Sequence, residues 1–359
     1  MKAAVVKAGP TVKVIDTPIP EPREGEILIK VVVAGTNPKD WKAPEVAATG
    51  AKSFAGFSLE HMGEWSNQGD DLAGYVEKVG QGVVGFKPGD RVAAMHEMAK
   101  PHGAWAEYAI AWSQSTWHIP DNISFEEAAT VPLAALAAAV SLFYNLRLST
   151  PLAPANRQTP LIINGAGTTV GAFAVKLAQE SNIHPVIAIA GDTIPYIQTL
   201  LDPSKKDAVV DYRQDQAKVI ADLKQAISKS GTTHVKYAFD TIGKQVGVDA
   251  LKEVLDSDGH IDFILPPEVN VGPLSHSTTY VQVVHGPVDG AVARTLGYMI
   301  SKWFTLGFQT GVFTGHPYEI KKGGLYGLQP ALTDLKEGKN SGVKYVVRVG
   351  ETEGITAAV

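Results

Sequence analysis

A glycine-containing turn near the middle of the chain carries residue types suited to bind a charged ligand. The stretch LIINGAGTTVGAFAVKLAQ, residues 161–179, is an apolar run that ends in glycines and opens into a helical pattern. The spacing G-x-G-x-x-G requires a third glycine at position 170, but this chain has Val170 there and Gly171 one place later. Because backbone N–H groups at the start of a helix bind phosphate, the turn predicts a dinucleotide site.

The register of this turn is shifted by one residue. The last glycine of such a motif lets the helix pack closely on the strand, a role that falls to Gly171 and moves the two earlier positions to Ala166 and Thr168. All three residues are small, so a pyrophosphate can still approach the backbone. The alternative is a strand–helix turn that merely needs small residues. The predicted cofactor-binding residues of the turn are Gly165, Ala166, Gly167, Thr168, Thr169, Val170 and Gly171.

The next strand, PVIAIA, bears on which dinucleotide binds. Folds that prefer NAD place an acid at the end of this strand to bind the ribose 2′-hydroxyl, whereas this strand ends at Ala190 and is followed by Gly191. Asp192 competes with this interpretation, but we interpret it as the N-cap of the following helix. Because Tyr212 and Arg213 could hold a 2′-phosphate, NADPH is the predicted cofactor.

Residues at the ends of two later strands complete the predicted cofactor site. Asp240, Thr241 and Ile242 end the stretch VKYAFD and the turn after it, and Leu265 ends the stretch GHIDFIL. Ligands of open parallel sheets bind beside the carboxyl ends of the strands. The alternative for all four residues is ordinary strand capping.

Two kinds of element must position these residues. Residues before about 120 form short β-branched runs between Gly, Pro and Asp turns, which is typical of a small antiparallel barrel. Ser124 and Glu127 then form a capping box at the start of a long helical pattern. From about residue 160 strands alternate with helices, which predicts a parallel sheet with crossover helices. These predicted helices span 170–180, 194–201, 216–229 and 246–255.

Composition sets limits on partners and location. The chain has 359 residues, of which 19% are charged, with a net charge of −5 and no cysteine. This balance gives no reason to expect nucleic acid or an acidic membrane surface, and thiolate metal sites are excluded. The charged N-terminal segment has the pattern of neither a signal peptide nor a membrane span, and the apolar residues 128–140 are too few to cross a bilayer. We therefore expect a cytoplasmic protein.

Several segments together resemble one family. They are GTNPKDWK (35–42), GDDLAGYVEKVG (69–80), FKPGDRVAA (86–94), GAWAEYAI (103–110) and the closing GGLYGLQPALTDLKEGKNSGVKYVVRV. In this order they resemble the medium-chain dehydrogenase/reductases, especially the zinc-independent quinone oxidoreductases and the fungal enoyl reductases that act in trans with polyketide synthases. The resemblance implies an α/β fold, with a GroES-like β-barrel catalytic domain over 1–125 completed by about 318–359. It also implies a Rossmann doubly wound parallel sheet over 126–317, with the active site in the cleft between the two domains.

One departure from the family pattern bears on metal binding. Zinc-dependent members carry a cysteine near the position of Asn37 and a Gly-His-Glu motif where this chain has Gly69, Asp70 and Asp71. Catalytic zinc normally needs three protein ligands. Asp70, Asp71 and His61 could in principle gather a metal, but we interpret the aspartates as residues that hold loops or bind N–H groups. The prediction is therefore that the protein has no metal site.

Without a metal, the predicted chemistry is hydride transfer to an acceptor that is already electrophilic, such as a C=C bond conjugated to a carbonyl. The protein must orient the reactants and place donors near the carbonyl oxygen. The family positions imply that Asn37 positions nicotinamide or substrate, that Lys39 donates to an anion or to ribose, and that Thr130 donates near the nicotinamide. The alternatives are a turn residue at Asn37 and a solvent-facing charge at Lys39. His285 and Tyr280 are candidate proton donors, although solvent could protonate the enolate.

The predicted function is an NADPH-dependent, metal-free reductase of an enone or enoyl thioester, with fungal secondary metabolism as its expected setting. Quinone reduction is the alternative, and a non-catalytic NADPH-binding partner protein is an alternative of another class. The expected partner is a small-molecule substrate or a carrier-bound acyl chain, with no nucleic acid and no membrane, and the protein is expected to be a monomer or homodimer. The aromatic-rich segment 276–316 could wall an apolar substrate pocket or bury a dimer interface.

Overall fold

The structure is a computed structural model, and it describes residues 1–60, 62–285 and 291–355. The chain divides into two compact units, one of Met1–Leu133 with Gln282–Val359 and one of Ala134–Val281. The mixed α/β class that the sequence predicts is confirmed.

Strands and helices are numbered here in chain order over the described residues. The strands are β1 (Lys2–Lys7), β2 (Thr11–Asp16), β3 (Glu26–Gly35), β4 (Ser53–Phe54), β5 (Phe57–Ser58), β6 (Asp71–Val79), β7 (Arg91–Met95), β8 (Tyr108–Trp112), β9 (Thr116–His118), β10 (Leu161–Asn164), β11 (Val186–Ala190), β12 (Ala208–Asp211), β13 (Tyr237–Asp240), β14 (His260–Phe263), β15 (Ser275–Thr278), β16 (Tyr318–Ile320) and β17 (Lys344–Arg348). The helices are α1 (Lys39–Ala48), α2 (Phe125–Ala128), α3 (Pro132–Ala139), α4 (Thr169–Glu180), α5 (Ile194–Leu200), α6 (Gln216–Ser230), α7 (Gln245–Lys252), α8 (Ala291–Thr310) and α9 (Leu328–Lys336).

The first unit is built on a mainly antiparallel sheet with the order β16–β17–β3–β6–β7–β9, to which β8 adds by pairing with β3. Strand β6 shows how the sequence selects this arrangement, because the buried Val76 lies between the exposed Tyr75 and Glu77. Such alternation places one face on the core and the other in water. The core of this unit includes Ile27, Ile29, Leu72, Val92, Trp105, Leu332 and Val347.

The second unit is a parallel sheet with the order β12–β11–β10–β13–β14–β15. Numbered within the unit, this is the 3-2-1-4-5-6 order of a Rossmann fold, and its reversal lies between β10 and β13. All residues of β10 and β11 are buried, as expected for strands covered by helices on both faces. Helices α4 to α7 confirm the predicted alternation, and their ends lie within three residues of the predicted ones.

Helix α8 groups with the first unit, although the predicted return to that domain was at about residue 318. It packs on β9 and the turn before it. The rings of Phe308 and Trp117 stack with centroids 5.1 Å apart, and Thr305 Oγ1 donates to the carbonyl of His118 over 2.9 Å. Aromatic packing therefore ties α8 to the first unit.

The aromatic rings of α8 serve the core of their own unit. Trp303, Phe304 and Phe308 are buried, and Phe304 stacks on Phe313 with centroids 5.2 Å apart. These three rings are therefore covered by their own unit, and the pocket wall or dimer interface expected of segment 276–316 stays a prediction. Tyr298 on the same helix is exposed.

The long helical pattern after residue 124 begins as predicted. The Ser124 side chain accepts from the N–H of Glu127 over 3.1 Å, but the Glu127 carboxylate accepts from Gly315 N instead of closing the capping box. By length and composition alone the run Phe125–Asn145 is apolar enough to cross a membrane, yet 89% of its apolar window is buried inside the protein. This agrees with the buried helix predicted for residues 128–140.

Candidate active site

The turn after β10 has no room for a side chain at two of its positions. Gly165 has a φ of +81°, and a Cβ there would lie 2.3 Å from Thr241 Oγ1 and 2.6 Å from Ile242 Cγ1. A Cβ at Gly167 would lie 1.8 Å from Thr193 Oγ1. Only glycine fits these positions without moving a neighbour, so the backbone is bare at the carboxyl end of β10.

Close packing of strand and helix occurs at Gly171. A Cβ there would lie 2.2 Å from the carbonyl oxygen of Gly165, while Val170 is accommodated with its side chain partly exposed. The shifted register therefore gives the packing function to the later glycine. Ala166 is buried and donates its N–H to Ile189 O over 3.0 Å, which joins the turn to β11.

Helix α4 presents its amino end at this turn. Thr168 is the N-cap, and its Oγ1 accepts from Gly171 N and lies 3.0 Å from Thr241 Oγ1. The first intrahelical bond runs from Ala172 N to Thr168 O, so the N–H groups of Thr169 and Val170 precede it. The hydroxyl of Thr168 is therefore occupied, whereas the N–H groups at the helix start are suited to a phosphate.

The residues after β13 hold the turn in place. Asp240 Oδ1 accepts from the N–H groups of Ile242 and Gly243 over 2.7 and 2.9 Å, and its Oδ2 accepts from Asn164 Nδ2 over 3.0 Å. Burial raises the pKa of Asp240. Thr241 Oγ1 lies 3.0 Å from the carbonyl of Gly165. The side chains of Asp240 and Thr241 thus hold the turn, as the capping alternative requires, and their predicted contact with a cofactor stays a prediction.

The end of β11 brings three predicted cofactor residues together. Tyr212 donates its N–H to Ala190 O over 3.1 Å, and a Cβ at Gly191 would lie 2.6 Å from the Tyr212 ring. The exposed ring of Tyr212 therefore covers the bare backbone of Gly191. Leu265 is half-buried and lies two residues beyond the end of β14.

Our interpretation of Asp192 as a helix cap is wrong. The N-cap of α5 is Thr193, and no side chain caps that helix. Asp192 instead accepts from Arg213 Nη1 over 2.5 Å. Sequence alone could not distinguish the two roles, because the pairing depends on β11 and β12 lying side by side.

These features of the second unit fit a dinucleotide. A ligand pyrophosphate requires a close backbone approach and unpaired N–H groups. Gly165 and Gly167 carry no side chain, and the N–H groups of Thr169 and Val170 precede the first intrahelical bond of α4. The neighbouring strand end at Ala190 and Gly191 carries no acid on its last two residues.

In the first unit, the amide of Asn37 is held in a buried polar cluster. Asn37 Nδ2 donates to Asp71 Oδ2 over 2.7 Å, and Lys344 Nζ donates to Asn37 Oδ1 over 2.8 Å and to Asp71 Oδ2 over 2.7 Å. Asp71 Oδ1 accepts from Leu133 N over 2.6 Å, which agrees with our interpretation that this aspartate binds N–H groups. We name Asn37, Asp71 and Lys344 the Lys344 cluster.

Lys39 belongs to a second buried group. Its ammonium lies 2.6 Å from Asp70 Oδ2 and 3.1 Å from Asp40 Oδ1, and the geometry of both contacts is that of an ion pair, not of a hydrogen bond. The ammonium also donates a hydrogen bond to Gln68 O over 2.7 Å. The Lys39 side chain is only 11% exposed, so it is not the solvent-facing charge that we considered. We name Lys39, Asp40 and Asp70 the Lys39 cluster.

Burial shapes the protonation of the Lys39 cluster. It raises the pKa of Asp40 to about 7 and that of Asp70 to about 6, because the Lys39 ammonium, which lowers both values, does not offset the loss of hydration. Burial also works against the charge of Lys39, but Asp70 and Asp40 outweigh it and raise the pKa of Lys39.

Thr130 lies in a separate set of contacts of the first unit. Its hydroxyl donates to Glu127 O over 2.6 Å and accepts from His316 N over 2.9 Å. Because a hydroxyl has one proton, Thr130 can donate to a ligand only by giving up the bond to Glu127.

The two candidate proton donors differ in their surroundings. His285 is buried with its Nε2 2.8 Å from Ser115 Oγ, and burial lowers the pKa of His285 to about 3. A neutral imidazole is a poor proton source near neutral pH. Tyr280, in the second unit, is exposed.

The three carboxyls of the two clusters lie beside two lysines, and Asp40 and Asp70 share Lys39. Asp70 pairs with Lys39 and Asp71 pairs with Lys344. In the described part of the chain, no three His, Cys, Asp or Glu residues are grouped as metal ligands. His61 lies outside the described residues.

Sequence reasoning did not identify Lys344 as part of a site. The residue opens a strand in the stretch VKYVVRV and is buried, although lysine is rarely buried without a partner. A lysine at the start of an otherwise apolar strand was the available signal. Its partners, 307 and 273 residues away, were not visible in the sequence.

The Lys39 cluster predicts an unusual dependence of stability on pH. Asp40 and Asp70 hold protons to higher pH in the folded protein than at the ordinary aspartate value of 3.8. Between about pH 4 and pH 7 the folded state therefore binds more protons than the unfolded chain, so these groups lower the free energy of unfolding as pH rises. Lys39, Asp71 and Lys344 are the charges that act on Asp70.

The variant Asp70→Asn removes one of these two carboxyls and should flatten the decline, as measured by urea unfolding at a series of pH values. Asp258→Asn removes an exposed ion-pair partner whose pKa is lowered, and it is the control. It should leave the slope unchanged above about pH 5, where that carboxyl is ionised in the folded and the unfolded state. If Asp70→Asn does not alter the slope of the free energy of unfolding against pH, Asp70 is not one of the groups that cause the decline.

The Lys344 cluster predicts coupling between its charges. Lys344→Met leaves the buried Asp71 carboxylate without a counter-charge and should lower the free energy of unfolding by about 3–5 kcal/mol. Adding Asp71→Asn removes the uncompensated charge, so the double variant should be more stable than Lys344→Met alone. Chemical denaturation measures the free energy of unfolding of the two single variants and of the double variant. If the loss in the double variant equals the sum of the losses in the two single variants, the ion pair is not coupled.

Comparison with known proteins places this geometry in a family. A sequence profile of the alcohol dehydrogenase GroES-like domain matches residues 23–121. The trans-enoyl reductase fsr4 of Gibberella fujikuroi is 38% identical over 329 residues, which cover 90% of this chain and 91% of that protein. The chloroplastic quinone-oxidoreductase QR1 of Triphysaria versicolor is 31% identical over 201 residues, which cover 56% of each chain.

A solved structure shows the same fold at lower identity. An alcohol dehydrogenase superfamily protein from Novosphingobium aromaticivorans superposes with a TM-score of 0.77 at 21% identity, covering 97% of this chain and 99% of that one. These matches confirm the resemblance on which the expected fold and the expected enzyme class depend. The chain therefore belongs to the enoyl and quinone reductase branch of the medium-chain dehydrogenase/reductase family and is an oxidoreductase.

Proposed function

We propose that the protein is an NADPH-dependent reductase of a C=C bond conjugated to a carbonyl, in an enone or an enoyl thioester. The observation that carries the proposal is the 38% identity with a trans-enoyl reductase over 90% of this chain. The bare glycine turn at the start of α4 supports the cofactor part of the proposal, because its geometry suits a pyrophosphate.

The second unit would hold the cofactor, which supplies a hydride when bound. The start of α4 receives the pyrophosphate, while Ala190, Gly191 and Tyr212 border the adenosine ribose. Leu265 and Ile242 lie beyond the ends of their strands and are proposed to contact the nicotinamide half. NADPH is favoured over NADH because Arg213 follows Tyr212 and no acid stands at Ala190.

The first unit would bind and polarise the substrate. Its Lys344 cluster fixes the amide of Asn37, which retains one N–H and one lone pair beyond its contacts with Asp71 and Lys344. Lys39 supplies the positive charge nearest to Asn37 in sequence, and we propose that it stabilises the negative charge that gathers on the carbonyl oxygen.

Metal-free chemistry is part of the proposal. Asp70 and Asp71 each lie within 2.7 Å of a lysine ammonium, so protein cations already neutralise the carboxylates that a divalent ion would need.

Solvent protonates the enolate, because the buried His285 is neutral near pH 7. Thr130 contributes by fixing the backbone at His316 unless it exchanges its bond to Glu127 for one to a ligand.

The substrate is proposed to be a small molecule or a carrier-bound acyl chain in secondary metabolism, and the protein a cytoplasmic monomer or homodimer without nucleic-acid or membrane partners. Quinone reduction is the second candidate, because a quinone oxidoreductase is 31% identical over 56% of this chain. The non-catalytic alternative has less support, since both of these relatives carry the names of reductases.

Purified protein should oxidise NADPH when an enone or enoyl thioester is added, as followed by loss of the absorbance of the reduced nicotinamide. Turnover of quinones alone would favour the second candidate. If enones, enoyl thioesters and quinones all leave NADPH unchanged, the proposed function is wrong.

Two variants of the glycine turn provide the matched control. Gly171→Ala forces a Cβ against Gly165 O and should cost about 1–3 kcal/mol in packing, with about tenfold weaker NADPH binding. Val170→Ala keeps the backbone N–H that is suited to a phosphate and removes only side-chain atoms at a partly exposed position, so it should bind NADPH like the unaltered protein. Equal losses in both variants would contradict the shifted register.

A further inference from the structure

An arginine at the end of β12 is shared between two carboxylates. Arg213 contacts Asp211 through Nε over 2.9 Å and through Nη2 over 2.6 Å, and it donates from Nη1 to Asp192 over 2.5 Å. Ala190, at the end of β11, is the register partner of Asp211, so both carboxylates lie at the carboxyl ends of neighbouring strands.

The two carboxylates are held differently. Asp211 also accepts the backbone N–H of Arg213 over 2.9 Å, which closes a local turn around the pair. The carboxylate of Asp192 is 73% exposed, and in the described part of the chain its side-chain partner is Arg213. The contact between Asp192 and Arg213 is therefore the one that a ligand can replace, while Asp211 keeps the arginine in place.

The position of this pair makes it a cofactor-selecting feature. The adenosine ribose binds beside the second strand of a Rossmann unit, which is β11 here, and Gly191 and Tyr212 adjoin both charged residues. A ribose 2′-hydroxyl can donate to the Asp192 carboxylate. A 2′-phosphate brings a charge of about −1.5 to −2 and needs the guanidinium instead.

The charges around Arg213 oppose the binding of a 2′-phosphate. Asp192 and Asp211 outnumber Arg213 by one carboxylate, and Arg213 lowers the pKa of Asp211 to about 2, which keeps that carboxylate ionised near neutral pH. A 2′-phosphate must therefore displace Asp192 from Arg213 and meet its repulsion.

From this arrangement we propose that Asp192 is the specificity-determining residue of the cofactor site: it competes with the 2′-phosphate for Arg213 and thereby weakens the preference for NADPH over NADH. The inference rests on the proposed function, since it concerns the same dinucleotide site. Asp192→Asn keeps the size of the side chain and releases the charge, so the arginine becomes available to the phosphate.

Calorimetric titration of the full-length protein with NADPH and with NADH tests the role of Asp192, because it measures the affinity for each cofactor without any reaction of a substrate. Asp192→Asn should raise the ratio of NADPH to NADH affinity by about fivefold, and the gain should shrink as salt increases. Arg213→Gln should weaken NADPH and leave NADH nearly unchanged. The control Asp258→Asn removes another exposed ion-pair carboxylate, next to Lys236 at the amino end of β13, and should leave the ratio unaltered.

The outcomes separate this inference from the function on which it rests. Binding of both dinucleotides with a ratio that Asp192→Asn does not change, or lowers, would overturn the inference alone. Binding of neither dinucleotide to the unaltered protein would overturn the proposed function and the inference with it.

Discussion

Neutralisation of buried carboxylates by buried lysines is the interaction on which the first unit depends. Asp71 is reached by Lys344 from β17, by Asn37 from the turn after β3 and by Leu133 at the start of α3. An aspartate at the start of β6 thus joins four separate segments of the chain. Because unpaired buried charges are strongly destabilising, the same contacts that hold these segments together also fix the amide of Asn37. Stability and the orientation of a proposed substrate-binding group have one physical cause.

The second unit follows a constraint of space. The helix after β10 can pack only where the backbone has no Cβ, and Gly171 meets this need one residue later than the usual spacing. The shift leaves Val170 at the helix start, where it is tolerated, and keeps the N–H groups beside the bare turn at Gly165. At the ends of the neighbouring strands β11 and β12, Arg213 forms ion pairs with two carboxylates, those of Asp192 and Asp211.

Features set by local periodicity could be predicted from the sequence, and features set by distant pairing could not. The alternation of strands and helices, the buried helix over residues 128–140 and the role of Gly171 all follow from patterns within short windows. Lys344 and Asp192 were missed or misinterpreted because their partners become neighbours only when separate strands align. The grouping of helix α8 with the first unit was not predicted, because its packing on Trp117 leaves no periodic signal.

The central claim is that a hydride from NADPH reaches the carbon β to a carbonyl in a conjugated double bond. Isotope transfer tests it most directly: an enone is reduced with NADPH deuterated at the nicotinamide C4, in ordinary water, and the product is examined by NMR and mass spectrometry. The account predicts deuterium at the β-carbon and a solvent hydrogen at the α-carbon. Deuterium at the carbonyl carbon of an alcohol product would contradict it, because the reaction would then be carbonyl reduction.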